Sequence, residues 1–383
     1  MSKNNLEEFT ALNALRAMGA FCVVYFHVYV YFYSLGLPQT WVLPMFHTWI
    51  EFFIILGGFV ITHAYAEKFK ANPLPTYRDF AVARFARVYP LHVVVLAAMV
   101  LMELGRLVMA WNGLPTVLPN APFTRMTDPE YLPANLLLVQ AWGMMPHNTW
   151  NVPAWTVSAD VFCYALFPVL ILWGLVNRSA WVTIAVALGS FALLEVLKSR
   201  KGILDYTYNF GILRCFPSFV IGCILYGAPR KWMQSCGPWM REFVPVASLS
   251  VVVLGFWLGA DDMAMICAMI FMVLGFAENR SRVVRWFSVK PLRYLGDLSY
   301  SIYLVHQPMI IAIVLWLVSS EDAVAGYLKA SPYLLVGATY VLIVVVSHYT
   351  YRHVELPAQR WLKKRWGGKS TPVVALALEP KAP

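Results

Sequence analysis

Charged residues are scarce in this chain. They make up 13% of its 383 residues, whereas 60% are hydrophobic and the mean hydropathy is +0.60. A soluble domain of this length would lack the charged side chains that cover a water-exposed surface. The apolar runs are about 20 residues long, which suits membrane-spanning helices and is too long for barrel strands. The composition therefore predicts an all-α, polytopic membrane helical bundle.

Several sequence motifs that are typical of soluble enzymes are also missing. No GxSxG occurs, which argues against a serine nucleophile of the hydrolase type. We find no glycine-rich phosphate loop, and none of the six cysteines has metal-ligand spacing. We therefore predict no metal site and interpret the cysteines as small apolar side chains. The N-terminal stretch MSKNNLEEFT lacks a basic region followed by an apolar one, so no cleavable signal peptide is expected.

Ten apolar segments are candidates for transmembrane helices. The segments cover residues 11–33, 46–66, 85–109, 154–176, 180–197, 207–227, 244–260, 262–278, 295–318 and 333–351.

Lysine and arginine concentrate on alternate connections. They cluster after the second, sixth, eighth and tenth segments, whereas the loops 111–150 and 319–332 hold one each. The stretch LKSRKG at 197–202 is an exception. By the positive-inside rule both termini are predicted to be cytoplasmic. The net charge of +10 is then explained by cytoplasmic loops at a lipid bilayer, and no nucleic-acid partner is predicted.

The loop 111–150 is rich in proline, asparagine and tryptophan and is expected on the outer side. Aromatic rings beside polar groups at a membrane surface suit a carbohydrate. An ordinary interfacial aromatic belt followed by a loop would have the same composition, so both interpretations stay open.

The first segment carries two ionisable side chains, Arg16 and His27, eleven positions apart. At about 100° per residue this separation is three turns plus roughly 20°, so both lie on one helix face about 16 Å apart. A charged side chain at the membrane centre costs roughly 2.5–3.5 kcal/mol, so the face should point into the bundle. His27 is a candidate general base, although a hydrogen-bonded structural histidine would occupy the same position.

Arg84 and Arg87 are neighbours at the start of the third segment, three positions apart. A pair of guanidinium groups suits phosphate or pyrophosphate, although a basic cytoplasmic flank would look the same. Arg16 is expected at the same end of the bundle. Together the three would suit an anionic cytosolic ligand such as coenzyme A.

Six stretches, in this order, resemble motifs of the acyltransferase-3 family of integral membrane O-acyltransferases. Gly57 stands where that family usually has serine, and Asp160 where it usually has glutamate. The stretches are RAMGAFCVVYFHV, EFFIILGGFVITHAY (51–65), RFARVYPLH (84–92), PAWTVSADVFCYALFP (153–168), LGDLSYSIYLVHQPMI (295–310) and HVELP (353–357).

The resemblance covers residues 12–357 and is to the short, stand-alone form of the family. It implies ten helices with cytoplasmic termini, in a multi-pass protein of the inner membrane of a bacterium. It also implies transfer of an acyl group, most often acetyl, from cytosolic acyl-CoA to a hydroxyl of a carbohydrate of the cell envelope. Acyl-CoA would be a substrate, and no permanently bound cofactor is expected. We place the domain at 1–357 and predict that 358–383 form a basic, disordered cytoplasmic tail.

This reading assigns roles to the candidate residues. Arg16, Arg84 and Arg87 would hold the phosphates of coenzyme A, and His27 would be the general base or would carry the acyl group itself. Asp160, expected near the outer end of the fourth segment, and Glu51 would complete the catalytic set by orienting the acceptor or His27. The predicted substrate-binding residues are Trp155, Tyr303, His306 and Arg214, of which Arg214 would suit a succinyl group and His306 is equally suited to a structural hydrogen bond.

Two alternatives from other classes stay open. A secondary transporter or flippase of an anionic or lipid-linked sugar would use His27 and Asp160 as a proton relay, although such proteins usually have paired halves, and we detect no internal symmetry. A non-catalytic scaffold for polysaccharide assembly would not depend on acyl-CoA. The carbohydrate acceptor is not specified by the sequence.

Overall fold

The computed structural model describes residues 9–32, 43–114, 120–278, 281–319 and 323–367. Most of these residues are helical, and no β-strand occurs among them. The apolar helices surround one large buried core.

A helix is found at each of the ten predicted segments, and an eleventh follows them. These helices are α1 Thr10–Phe32, α2 Trp49–Ala71, α3 Pro73–Trp111, α4 Trp155–Leu172, α5 Ala180–Lys201, α6 Gly211–Leu225, α7 Pro238–Leu258, α8 Asp262–Phe276, α9 Ser299–Ser319, α10 Pro332–Thr350 and α11 Leu356–Trp366. Shorter helices in the connections are Leu132–Leu136, Ala228–Ser235, Arg282–Phe287, Lys290–Asp297 and Ala323–Ala330.

Among the described helices, eight are long and apolar enough to cross a membrane. A ninth span results if α6 and the short helix after it, bent by 45°, are counted together. At 15 residues, α8 is shorter than a usual span. The all-α polytopic membrane bundle is confirmed, whereas the cytoplasmic location of both termini stays a prediction.

Local sequence signals set several helix ends. Pro73 occupies the first turn of α3, where a backbone N–H would have no helical partner. The side chain of Asp261 caps α8 by accepting a hydrogen bond from Met263 N at 2.9 Å. Gly259 ends α7 with a φ of +66°, which is unfavourable for residues with a Cβ.

Helices α2 and α6 pack with their backbones in contact. A Cβ atom on Gly58 would lie 2.2 Å from the carbonyl oxygen of Phe219, and one on Gly222 would lie 2.0 Å from that of Ile55. Small residues commonly allow this close approach between membrane helices. The contact fixes α2, which forms a wall of the candidate site described below.

Alanine at the adjacent positions Gly57 and Gly58 should have opposite effects on stability. Gly58→Ala must push α2 away from α6, and overpacking of this kind costs about 1–3 kcal/mol. Gly57 has no atom within 4 Å of an added Cβ, so Gly57→Ala should keep or raise stability through its better helix propensity. Thermal unfolding midpoints in one detergent test this, and equal midpoints for the two variants would contradict the packing.

Residues 120–151, here called the re-entrant segment, are bound to α3 and, at their end, to α9. Near the C-terminal part of α3, the Glu103 carboxylate accepts a hydrogen bond from Phe123 N at 2.9 Å. Further along the segment, His92 Nε2 donates to the carbonyl oxygen of Asn135 at 2.9 Å. Glu103 and His92 are eleven residues apart on α3, which corresponds to about 16 Å along its axis. The segment therefore descends along the helix.

Hydrogen bonds hold the re-entrant segment inside the bundle. Asn135 Nδ2 donates to Thr149 Oγ1 at 2.9 Å, and Asn151 Nδ2 donates to the carbonyl oxygen of Leu304 on α9 at 3.1 Å. Non-helical backbone is tolerated at membrane depth when protein surrounds it in this way. The later part of the segment is therefore packed against the helices and leads into α4. Its location on the outer side of the membrane stays a prediction.

The chain stays helical beyond residue 357, where we placed the end of the domain. A π-helical turn at Tyr351–Glu355 leads directly into α11. Helix α11 packs on α3, and Arg78 Nε donates to the carbonyl oxygen of Trp366 at 3.1 Å. Residues 358–366 are therefore part of the bundle, and the predicted tail from residue 368 onward lies outside the described residues.

Candidate active site

One large cavity opens between six helices, α1, α2, α3, α4, α9 and α11. It encloses about 1310 Å³ of empty space, its open mouth included. The part of this space that a water molecule can occupy measures about 180 Å³. Five of the residues selected from the sequence line it, and these are Arg16, Arg84, Arg87, Asp160 and Tyr303.

The three arginines, here called the arginine cluster, come from two helices. Arg16 lies on α1, and Arg84 and Arg87 lie one turn apart on α3. The Arg84 guanidinium group lies 6.0 Å from the ring centres of both Tyr65 and Tyr164. Among the described residues, neither Arg16 nor Arg84 has a carboxylate within ion-pair distance. Their positive charge is therefore available to an anionic ligand.

Arg87 is held by a carboxylate. Its Nη1 donates to Glu355 at 2.9 Å, and Glu355, only 1% exposed, also accepts a hydrogen bond from the Ser301 hydroxyl. The π-helical turn places Glu355 at this point, between α3 and α9. One buried negative charge thus fixes the direction of Arg87, while its Nη2 has no hydrogen-bond partner among the described residues.

Asp160 faces the same cavity as the arginine cluster. We expected it near the outer end of its helix, where it would orient the acceptor or His27. Helix α4 begins at Trp155, so Asp160 lies in its second turn, and this end of the helix faces the cavity. Its carboxylate is therefore placed to interact with a ligand of the arginines. Its predicted catalytic role stays a prediction.

In contrast to the charged part of the cavity, one wall is apolar and is formed by α2. Phe53, Gly57, Val60 and Ala64 recur at helical spacing and all line the cavity. This α2 wall extends over eleven residues, or about 16 Å. An extended, uncharged chain would fit along it.

At the Phe53 end of the α2 wall, the cavity reaches Tyr303 of α9. The ring centres of Phe53 and Tyr303 are 6.1 Å apart. The Thr156 hydroxyl donates to the Tyr303 hydroxyl at 3.0 Å, so the phenol oxygen is oriented by the first turn of α4. Tyr303 was selected from the sequence as a substrate-binding residue, and it forms this end of the cavity.

Beyond Tyr303 lie two histidines, His306 and His27, here called the histidine pair. The ring centres of Tyr303 and His306 are 5.9 Å apart, and those of His306 and His27 are 4.8 Å apart. His306 is fully buried, and His27 is partly buried. His27 does not line the cavity itself, so it connects to the cavity through His306 and Tyr303.

The tautomer of each histidine follows from its hydrogen bond. His27 Nδ1 lies 3.0 Å from the carbonyl oxygen of Val23, and His306 Nδ1 lies 3.2 Å from that of Ile302. A carbonyl oxygen only accepts, so in both rings Nδ1 donates and a neutral ring keeps its lone pair on Nε2. His306 Nε2 is buried without a hydrogen-bond partner among the described residues. Both rings can accept a proton at Nε2.

Glu51 and Arg214, selected separately as a catalytic residue and a substrate ligand, bind each other. Arg214 Nε and Nη2 donate to the two Glu51 carboxylate oxygens at 2.5 and 2.9 Å, and both side chains are 1% exposed. The guanidinium group also lies 5.3 Å from the ring centre of Trp155. None of the three residues lines the cavity. The arrangement favours a structural role, and their predicted functional roles stay predictions.

The sequence analysis did not select the residues that α11 contributes. Gln359 and Lys363, one turn apart, line the cavity together with the arginine cluster. The available signal was the basic, amphipathic stretch LPAQRWLKKRW after Pro357. We interpreted that stretch as the start of a tail.

Comparison with known proteins agrees with this architecture. The family model described as "Acyltransferase domain" matches residues 9–352, which is nearly the whole chain. A curated protein of Rhizobium radiobacter, "Protein 2 in picA locus", is 34% identical over 132 residues. That match covers 34% of this chain and 62% of the relative, so the chain spans less than two thirds of the relative's length. No solved structure gives a significant match.

The matched region contains ten of the eleven helices and every residue of the arginine cluster and the histidine pair. A match over this much of the chain establishes that it belongs to the family. The long apolar helices place the protein in a membrane. The chain therefore belongs to the family defined by this acyltransferase domain, and its apolar helices are those of a multi-pass membrane protein.

Proposed function

We propose that the protein transfers an acyl group, with acetyl as the expected one, from cytosolic acyl-CoA to a hydroxyl of a cell-envelope carbohydrate. One observation carries the proposal: a single cavity joins the arginine cluster to Tyr303, beyond which lies the histidine pair. The basic loops support entry of the donor from the cytoplasm, with the protein in the inner membrane of a bacterium.

The donor would bind along the cavity. Its phosphates would pair with Arg16, Arg84 and Arg87, because charge-assisted hydrogen bonds from guanidinium groups suit phosphate oxygens. Its uncharged arm would lie against the α2 wall, whose length of about 16 Å is of the right order. The thioester would then lie near Tyr303.

His27 would supply the chemistry. Its Nε2 would remove the proton from the acceptor hydroxyl as the hydroxyl oxygen attacks the thioester carbonyl carbon. The carbon–sulfur bond then breaks, the sulfur leaves as thiolate and takes up a proton, and the products are an ester and free coenzyme A. Alternatively, Nε2 attacks first, releases coenzyme A and passes the acyl group to the hydroxyl in a second step. His306, in ring contact with His27, would exchange the proton with it.

Purified protein in lipid nanodiscs tests this proposal. Radiolabelled acetyl-CoA and an envelope carbohydrate fraction are added, and free coenzyme A and labelled ester are measured. Release of coenzyme A together with labelled carbohydrate supports the transferase. Movement of an unmodified sugar across proteoliposomes, without use of acyl-CoA, would instead identify a transporter or flippase. Binding of carbohydrate without either activity would identify a scaffold.

A further inference from the structure

Gly57 leaves an unfilled recess in the α2 wall. It lines the cavity, and an added Cβ would have no atom within 4 Å. The adjacent Gly58, by contrast, is blocked by the backbone of α6. Since ordinary van der Waals contacts between carbon atoms lie near 3.5–4.0 Å, at least one methylene group fits beside Gly57 without displacing anything.

The recess lies close to the Tyr303 end of the cavity. Gly57 is four residues from Phe53, or about 6 Å along α2, and Phe53 contacts Tyr303. Beyond Tyr303, His306 is fully buried. An acyl group longer than acetyl therefore has no open space straight ahead and must turn sideways.

The surroundings of the recess define what it would accept. The cavity-lining residues next to Gly57 on α2 are all apolar, namely Phe53, Ile54, Val60 and Ile61. Arg214, which we had considered as a ligand for a succinyl carboxylate, is bound to Glu51 outside the cavity. The recess thus favours hydrocarbon over a charged group.

We propose that the recess at Gly57 accepts the hydrocarbon tail of short acyl groups longer than acetyl, such as propionyl and butyryl. Gly57 is then a residue that determines donor specificity. This inference rests on the proposed function, since it concerns the acyl end of the same donor. Each buried methylene contributes about fourfold in kcat/KM at the usual transfer free energy.

The test compares kcat/KM for acetyl-, propionyl- and butyryl-CoA in the wild type, Gly57→Val and Gly189→Val. Gly189 is exposed on α5, and a Cβ there meets no atom within 4 Å, so it is a matched control. Gly57→Val should lower the ratio of butyryl to acetyl kcat/KM about tenfold, whereas Gly189→Val should not change it. Gly57→Ala, a smaller change, replaces Gly57→Val if the latter fails to fold.

An unchanged butyryl-to-acetyl ratio in a folded Gly57→Val protein would overturn the inference. If the wild type transfers none of these groups, the proposed function fails. The recess is then tested by equilibrium binding of the same three thioesters. If the wild type and Gly57→Val have the same ratio of butyryl-CoA to acetyl-CoA affinity, this result also overturns the inference.

Discussion

Replacing His27 with alanine should lower the rate of acyl transfer about 10²–10⁴-fold, the range that a general base usually contributes. The reason is geometric: Nδ1 is held by the carbonyl oxygen of Val23, which leaves Nε2 to accept the proton or the acyl group. Among the residues that the structure describes, His306 is the imidazole in ring contact with His27. The measurement is initial-rate release of coenzyme A in nanodiscs at saturating acyl-CoA.

His353→Ala is the matched control, because His353 is exposed and stacks on the neighbouring Tyr349, with ring centres 6.1 Å apart. It should retain the wild-type rate. The acyl-carrier route predicts in addition that rapid acid quench of the wild type traps label on the protein, and that His27→Ala traps none. A His27→Ala protein with wild-type turnover would exclude His27 from the chemistry.

Removing one partner of the Glu51–Arg214 pair should cause the largest loss of stability. Breaking a buried ion pair from one side leaves an uncompensated charge and typically costs about 3–5 kcal/mol. Glu51→Gln tests this with almost no change in shape. The expected result is a strongly lowered thermal midpoint in detergent, with activity lost in proportion to the unfolded fraction.

The double variant Glu51→Leu with Arg214→Met separates stability from catalysis. Replacing both members of a buried pair by apolar residues is often neutral or stabilising, so this variant should regain most of the lost stability. If the pair is structural, transfer activity should return with it. A stable but inactive double variant would instead assign Glu51 or Arg214 to substrate binding or catalysis, as the sequence analysis suggested.

The sequence was sufficient for those features that depend on local composition. Apolar runs predicted the helices because each membrane helix satisfies its own backbone hydrogen bonds. The spacing of Arg84 and Arg87 placed both on one face of α3, and the motifs led to the family that the comparison established. Each of these features is encoded within a single helix.

Features that depend on contacts between segments far apart in the chain could not be predicted from the sequence. The sequence around His27 does not indicate that His306 lies beside it. The sequence around Glu51 likewise does not indicate that its charge is neutralised by Arg214. The re-entrant segment was missed for a related reason. Its proline and asparagine content is typical of a surface loop, and only contacts such as that of His92 with the Asn135 carbonyl oxygen show that it packs against the helices.

Binding of coenzyme A by isothermal titration in nanodiscs tests the central claim most directly, namely that the arginine-lined cavity holds the donor. Wild type and His27→Ala should bind, as should Arg285→Gln, whose side chain is exposed outside the cavity. The double variant Arg16→Gln with Arg84→Gln should bind at least about 100-fold more weakly, since each charged hydrogen bond contributes about 1.5–3 kcal/mol. A wild-type protein that binds no coenzyme A, or a double variant that binds it as tightly as wild type, would contradict the account.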